Sequence, residues 1–411
     1  MPTAETPSVE GQRAILFIAL SPEDSECIRA GLHDTADKWR LEFVPNVRRG
    51  MIALGETAFD AAIVDLTAPG IDAPGLFKSM MEASPVTIRI GLVTPPERQA
   101  IQQVRAAVHQ LMTKPCDAKV LTAVLARAFA AQEFLSEENF KRLAGGIRSL
   151  PVLPAIYTEL MQELKSEDPS LERAGEIVAK DMALTAKILT LVNSAFFGLG
   201  RPIAHPSEAA VFLGTETLRA LVLSLQVFSQ FSQVQLKEFS VENLWKHSWT
   251  TGVLARRLCE FEEAGRETTD EAFIAGLLHD AGKLVLAANH PAQLEENIRQ
   301  ARQKHLTLWE QEYQVYNASH AELGGYLLGS WGLPSGVVEA VAFHHRPGHA
   351  RHQKFCALTA VHIANTVGKK GPCDAGLNPQ PVNLDYLRGL DLAERVDSWK
   401  QLFAGALEQR S

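Results

Sequence analysis

The sequence predicts two folds in one chain, a doubly wound α/β domain on a parallel sheet followed by an all-helical bundle. Three observations predict this. Over the first third, short apolar runs of strand type alternate with amphipathic stretches, the pattern of strands joined by helices. Beyond it, apolar residues recur at helical spacing. Ten of the thirteen histidines fall between His247 and His362, on those helical segments.

The first apolar run is Arg13-Ala14-Ile15-Leu16-Phe17-Ile18-Ala19-Leu20, the second is Phe59 to Asp65, which ends in an acid, and the third is Ile88 to Val93. Lys114-Pro115 follows His109-Gln110-Leu111-Met112-Thr113. Over residues 12–132 this arrangement resembles a response-regulator receiver, which implies a flavodoxin-like fold. The resemblance puts Asp65 at the phosphoacceptor position, Lys114 at the family's lysine and the switch hydroxyl at Thr94, with Val93 as the alternative register. The acidic pair that ends the first strand of receivers and holds Mg²⁺ is Ala19-Leu20 here, and the nearest acids are Glu23 and Asp24. Phosphoryl transfer to a carboxylate needs a cation to neutralise developing charge. Mg²⁺ is therefore expected to bind weakly, and the domain is expected to serve dimerisation or docking rather than phosphorylation.

From Asp117, a plausible N-cap, to about Arg142 the chain reads as nearly continuous helix without proline or glycine. Residues 133–148 are read as a helical connector, stiff enough to pass movement as a rigid-body tilt; two domains merely packed together are the alternative.

The second fold is expected over residues 149–368. In Ser319 to Trp331, His320 shares a face with Leu323, Gly324, Leu327, Leu328 and Trp331, a core-facing stripe. Gly332-Leu333-Pro334 stops that helix, Ser335 can cap the next, and Val337, Val338 and Val341 lead on one face to His344 and His345. Of two adjacent helical residues, one is expected to point away from a shared centre. A helix from Phe355 to Val367 places Leu358, Val361, His362 and Asn365 on one side. His279-Asp280 closes the apolar run Ala272 to Leu278 and precedes Ala281-Gly282-Lys283, and His247 opens the set. Histidine and aspartate are natural ligands for a divalent metal, and buried imidazoles need either a metal or hydrogen-bonding partners.

In that order His247, His279-Asp280 with Gly282-Lys283, His320 and His344-His345 resemble the HD phosphohydrolase superfamily, in the arrangement of its HD-GYP branch. Two features depart from it. Asn365 stands where the last aspartate ligand would be, and a neutral amide is a poorer ligand for a hard cation. Arg346-Pro347-Gly348-His349 replaces the Gly-Tyr-Pro signature. Upstream, Leu150-Pro151-Val152-Leu153-Pro154, then Ala179 to Leu189, then Val192-Asn193-Ser194-Ala195-Phe196-Phe197-Gly198, Pro202-Ile203, Pro206 to Ala210 and Phe212-Leu213-Gly214 resemble the HDOD (HD-related output domain) family. That resemblance implies a helical bundle of bacterial signalling proteins that acts mainly through protein interaction.

The expected function is therefore a two-domain signalling adaptor whose bundle binds partner proteins, with a homodimer as a further candidate. The alternatives are a metal-dependent phosphohydrolase, or a sensor, of a nucleotide or cyclic dinucleotide. In the enzyme reading His247, His279, Asp280, His320, His344, His345 and Asn365 hold Fe, Mn or Zn, and Lys283 steadies a phosphate as the catalytic residue. Without a metal, the same side chains would form a buried polar network.

A length of 411 residues suggests two or three domains, and 46% hydrophobic residues supplies their cores. No uninterrupted apolar run reaches the roughly 18–20 residues of a membrane span, and the first residues lack signal-peptide character. Cys27, Cys116, Cys259, Cys356 and Cys373 are scattered without CxxC spacing, as expected of free thiols in the cytoplasm. A net charge of −8 disfavours nucleic-acid binding. Residues 369–411 are expected to form a loop and a last helix near Leu392 to Leu407.

Overall fold

The computed structural model of the protein describes residues 12–33, 38–84, 87–94, 108, 110–132, 153–166, 168–194, 197, 199, 201–350, 352, 354–368 and 379–408. The connector expected at 133–148 lies outside the described residues. The chain divides into an N-terminal α/β unit and a helical unit.

Five parallel strands form the first unit: β1 (Arg13–Ile18), β2 (Trp39–Val44), β3 (Ala61–Asp65), β4 (Ile88–Val93) and β5 (Gln110–Thr113). Their order is β2-β1-β3-β4-β5, the doubly wound arrangement that sets a crevice at the carboxyl ends of the strands. Strands β1, β3 and β4 read as continuous apolar runs because both faces are covered. Ile15, Phe17, Ile63 and Ile90 pack into one core layer, and Leu16, Ile18, Ala62 and Val64 into the other. Among the described residues the unit also has four helices: α1 (Pro22–Gly31), α2 (Val47–Glu56), α3 (Ala73–Ala83) and α4 (Ala118–Gln132). The sheet is the expected receiver-like one, with two more strands than the apolar runs foretold.

The helical unit begins with α5 (Ala155–Leu164), α6 (Leu171–Ala179), α7 (Met182–Val192) and α8 (Pro206–Ser229). Ser170 and Asp181 cap α6 and α7 by accepting from the backbone N–H groups of Arg173 and Leu184. Asn193 clamps the backbone of Ile203. Its Oδ1 accepts from Ile203 N and its Nδ2 donates to Ile203 O, both at 2.8 Å. Among the described residues α8 has the length and apolarity of a membrane span. It bends at Gly214, where φ is +71°, and buries Leu218, Leu221, Val222 and Leu225 in the bundle.

The site-bearing helices follow: α9 (Val241–Phe261), α10 (Arg266–Leu278), α11 (Ala281–Asn289), α12 (Pro291–Gln303), α13 (Leu308–Tyr316), α14 (His320–Ser330), α15 (Ser335–Phe343) and α16 (Ala357–Val367). Pro334 occupies the N-cap of α15, so Ser335 is the first helical residue and not the cap. The crossing of α9 and α10 is glycine-dependent, since a Cβ on Gly276 would lie 2.5 Å from Gly252 Cα. Gly282 is as demanding, because a Cβ there would lie 2.0 Å from the His320 carbonyl oxygen. Beyond the expected loop come α17 (Leu384–Gly389) and α18 (Val396–Glu408), where Trp399 is fully buried and donates to Glu262 at 2.7 Å. Cys27, Cys116, Cys259 and Cys356 are free thiols. Burial pushes the Cys116 thiol up to about 11 and that of Cys259 higher still, so neither is a ready nucleophile.

Candidate metal centre

His279 and Asp280 occupy the break between α10 and α11. His279 is the C-cap of the first helix, and Asp280 is the N-cap of the second but forms no capping hydrogen bond. Its carboxylate is turned instead into the bundle, where it is 1% exposed. Oδ1 lies 3.2 Å from His320 Nε2 and 3.8 Å from His344 Nε2. Oδ2 lies 3.4 Å from His279 Nε2, 3.7 Å from His247 Nε2 and 2.8 Å from Lys283 Nζ. These expected residues thus converge from four stretches of chain.

The tautomers follow from what the opposite ring nitrogens touch. His279 Nδ1 faces the Gly276 carbonyl at 2.8 Å, and His344 Nδ1 faces that of Val341 at 2.7 Å. His320 Nδ1 faces the Glu312 carboxylate at 2.6 Å, and His345 Nδ1 faces Gln380 Oε1. The Gln380 amide is oriented by its own Nε2, which donates to the His345 carbonyl at 2.7 Å. All four partners are acceptors, so each Nδ1 carries the proton and each Nε2 presents a lone pair. His320 Nε2 and His345 Nε2 then face each other at 2.9 Å. In neutral rings these are two lone pairs, which repel at that distance unless a cation sits against both; a second proton on His320, held by Glu312 behind it, meets that demand as a metal ion would.

Several buried atoms carry the same demand. Asp280 Oδ1, His344 Nε2 and Asn365 Oδ1 make no hydrogen bond among the described residues, at a cost on the order of 1–3 kcal/mol each if nothing meets them. The donor atoms form two overlapping sets, Asp280 with His320, His344 and His345, and Asp280 with His247 and His279. Within each set they lie no more than 4.8 Å apart. Imidazole nitrogens and a carboxylate oxygen at this spacing fit a divalent transition metal, and the Glu312 to His320 contact is the outer-shell pairing that orients a metal-binding ring.

Electrostatics point the same way. Burial pushes His279 down to about 3 and holds His344 and His345 well below the ordinary imidazole range. Burial also opposes the charged forms of Asp280 and His320. His279 and Lys283 nonetheless hold the Asp280 carboxyl well below its usual value, and Glu312 raises His320.

The expectation that one ring of His344-His345 points away is overturned. Helix α15 ends at Phe343 and His344 is its C-cap, so the next residue leaves the helical path. The two rings lie 3.9 Å apart and both reach the centre. His362, by contrast, is a structural histidine. Its Nδ1 donates to the His344 carbonyl at 2.8 Å and its Nε2 accepts from Asn383 N at 3.0 Å. Asn365 is 2% exposed. Glu312 and Gln380 were not singled out from the sequence. Glu312 could have been, since it lies on one stripe with Leu308 and Tyr316; an acid on a buried stripe needs a partner.

In the receiver-like unit Asp65 ends β3, 3% exposed. Its Oδ2 accepts from Lys114 Nζ at 2.7 Å, and its Oδ1 from Thr67 N at 2.9 Å and Thr67 Oγ1 at 2.6 Å. Lys114 also pairs with Asp24 at 2.7 Å. Asp24 belongs to the first turn of α1, whose cap Ser21 accepts from Asp24 N. The acid missing from the end of β1 is thus supplied from the following helix. Ala19, at the turn between them, takes a left-handed φ of +61°. Thr94 directly follows β4, beside Lys114 N, which donates to the Val93 carbonyl at 2.8 Å.

A helical bundle whose centre is His279-Asp280 ringed by further histidines has the architecture of the HD class. Residues 150–347 match the family model of the HDOD domain, and the chain carries an HDOD domain there. It is 26% identical over 223 residues to an uncharacterized protein of Treponema pallidum (strain Nichols), an alignment covering 54% of this chain and 43% of the relative, less than half of its length. An HDOD domain protein of unknown function from Geobacter sulfurreducens superposes with a TM-score of 0.52 at 21% identity, over 69% of this chain and 94% of that one. A protein of Shewanella amazonensis SB2B named as a candidate phosphohydrolase gives 0.50 at 22% identity, over 66% and 95%. These two likenesses establish the fold.

Proposed function

We propose that the chain is a signal-transduction protein. Its receiver-like domain, residues 12–132, is the input, and its HDOD bundle, residues 149–368, is the output that binds partner proteins around a divalent metal. The convergence of imidazole lone pairs on Asp280 carries the reading. Iron, manganese or zinc suits that donor set.

Burial favours a binding role over turnover. His279, Asp280, His320 and His344 are at most 1% exposed, which matches the closed kind of site that holds structure. For partners, a groove of about 500 Å³ between α7, α8 and α9 offers a floor of Leu225, Phe228 and Trp245. Met182, one turn before Ala186 on its wall, is 85% exposed. Its size and lining suit apolar anchors of a partner helix. Asp65, with both oxygens engaged, acts in this reading as an ion-paired carboxylate and not as a phosphoacceptor. Scattered free thiols support the cytoplasm as its compartment.

Metal content of protein purified without chelator or nickel, for wild type beside Asp280→Ala, tests the proposal. Bound metal in the wild type and none in the folded variant is expected, without phosphodiester hydrolysis. Hydrolysis that disappears in His279→Ala would replace the adaptor with an enzyme, and a metal-free wild type would leave the histidines as scaffold.

A further inference from the structure

We infer that the ammonium of Lys283 fills one of two cation positions on Asp280, so that the centre takes a single metal ion, on the His320 side. The inference rests on the metal reading above and specifies it.

The two donor sets share Asp280 and divide between its oxygens. On the Oδ2 side, Lys283 Nζ donates at 2.8 Å from a residue only 7% exposed, a charge-assisted bond to a buried carboxylate. The two imidazoles there satisfy each other. His279 Nε2 carries the lone pair, so His247 Nε2–H donates across their 3.1 Å separation. A divalent ion on the same oxygen would stand against the ammonium in a medium that screens charge poorly. The Oδ1 side has the opposite character. There His344 Nε2 has no hydrogen-bond partner among the described residues, His320 Nε2 and His345 Nε2 face each other at 2.9 Å, and Oδ1 has only His320 Nε2 near it, at 3.2 Å. Within the two donor sets the unpartnered atoms, Asp280 Oδ1 and His344 Nε2, lie on that side. Lys283 is a positioning residue, one turn along α11 from the carboxylate it neutralises.

The test is zinc counting. Full-length protein stripped with chelator is loaded with Zn²⁺, desalted and assayed for zinc per chain, with circular dichroism to verify folding. Wild type is expected to hold one ion, His247→Ala still one, and His320→Ala none. Lys283→Met should hold two, falling back to one when combined with His247→Ala, while Lys283→Arg keeps one. Two ions in wild type, or one in folded Lys283→Met, overturns the inference and leaves the metal reading standing. If Lys283→Met does not fold, loss of the ion in His247→Ala with retention in His320→Ala overturns it equally. No zinc in wild type removes the metal reading and this inference together.

Discussion

The two units contain the same ion pair in different company. In the receiver-like unit Lys114 lies 2.7 Å from Asp65 and 2.7 Å from Asp24, one ammonium against two carboxylates, with Thr67 meeting the remaining oxygen. In the bundle Lys283 lies 2.8 Å from Asp280, but five imidazoles crowd the same carboxylate. The first pocket is closed by the protein's own cation. The second holds more imidazole nitrogens than its lysine can meet, and on the reading proposed above a metal ion meets the rest. Counting acceptors against donors, rather than recognising an Asp–Lys pair, is what distinguishes the two pockets.

Removing the shared carboxylate should break the contrast most completely. Asp280→Ala is expected to lose all bound metal by elemental analysis and, with it, the stabilisation that ligand binding confers on the folded state. Glu312→Gln keeps the ring contact but removes the charge behind His320, and zinc affinity by competition titration should fall about 10–100-fold. Acidification gives a graded version. Metal must displace the proton from His320, whose affinity for protons is raised, so zinc binding should weaken up to about tenfold per pH unit once that ring is protonated.

The metal-free fold has its own pH dependence. His279 and His362 are lowered to about 3 and about 4, and His344 and His345 also fall below the ordinary value of 6.5. Between those values the unfolded chain binds protons that the folded one refuses, so these rings withdraw stability as pH falls below 6.5. His320 has the opposite sign: its contribution is full below 6.5 and fades as pH rises through its raised value. With His290 also lowered by burial, five rings stand against one, and the urea midpoint should drop from pH 7 to pH 5. The smallest effect belongs to the receiver. Lys114→Met should cost about 1–2 kcal/mol in urea melts for a partly exposed bridge, and wild type treated with acetyl phosphate and Mg²⁺ should show no phosphate adduct by mass.

Strands β1, β3 and β4 were legible because burial on both faces leaves uninterrupted apolar runs. Strand β2 was not, since Arg40 and Glu42 alternate with Leu41 and Phe43 at the sheet edge, and β5 is only four residues long. The histidines announced the centre by type and crowding. That both His344 and His345 belong to it depends on a helix ending at Phe343, which periodicity does not reveal. Asp24 was visible as a nearby acid, but its reach to Lys114 depends on where α1 begins. Gln380 was illegible for a simpler reason: it arrives from across a glycine- and proline-rich stretch, with nothing local to mark it.

Gln380 lies 33 residues past the end of the family match at residue 347. Its amide sets the His345 tautomer from behind, and three residues on, Asn383 N–H is held by His362. The C-terminal segment is therefore a gauge of the centre. A fragment trimmed to the family boundary would keep Asp280 and its five histidines and lose both Asn365 and the amide that aims one of the rings. In the intact chain, deuterium uptake at Asn383 should slow when metal is added and quicken when it is stripped, so that occupancy can be read from the tail.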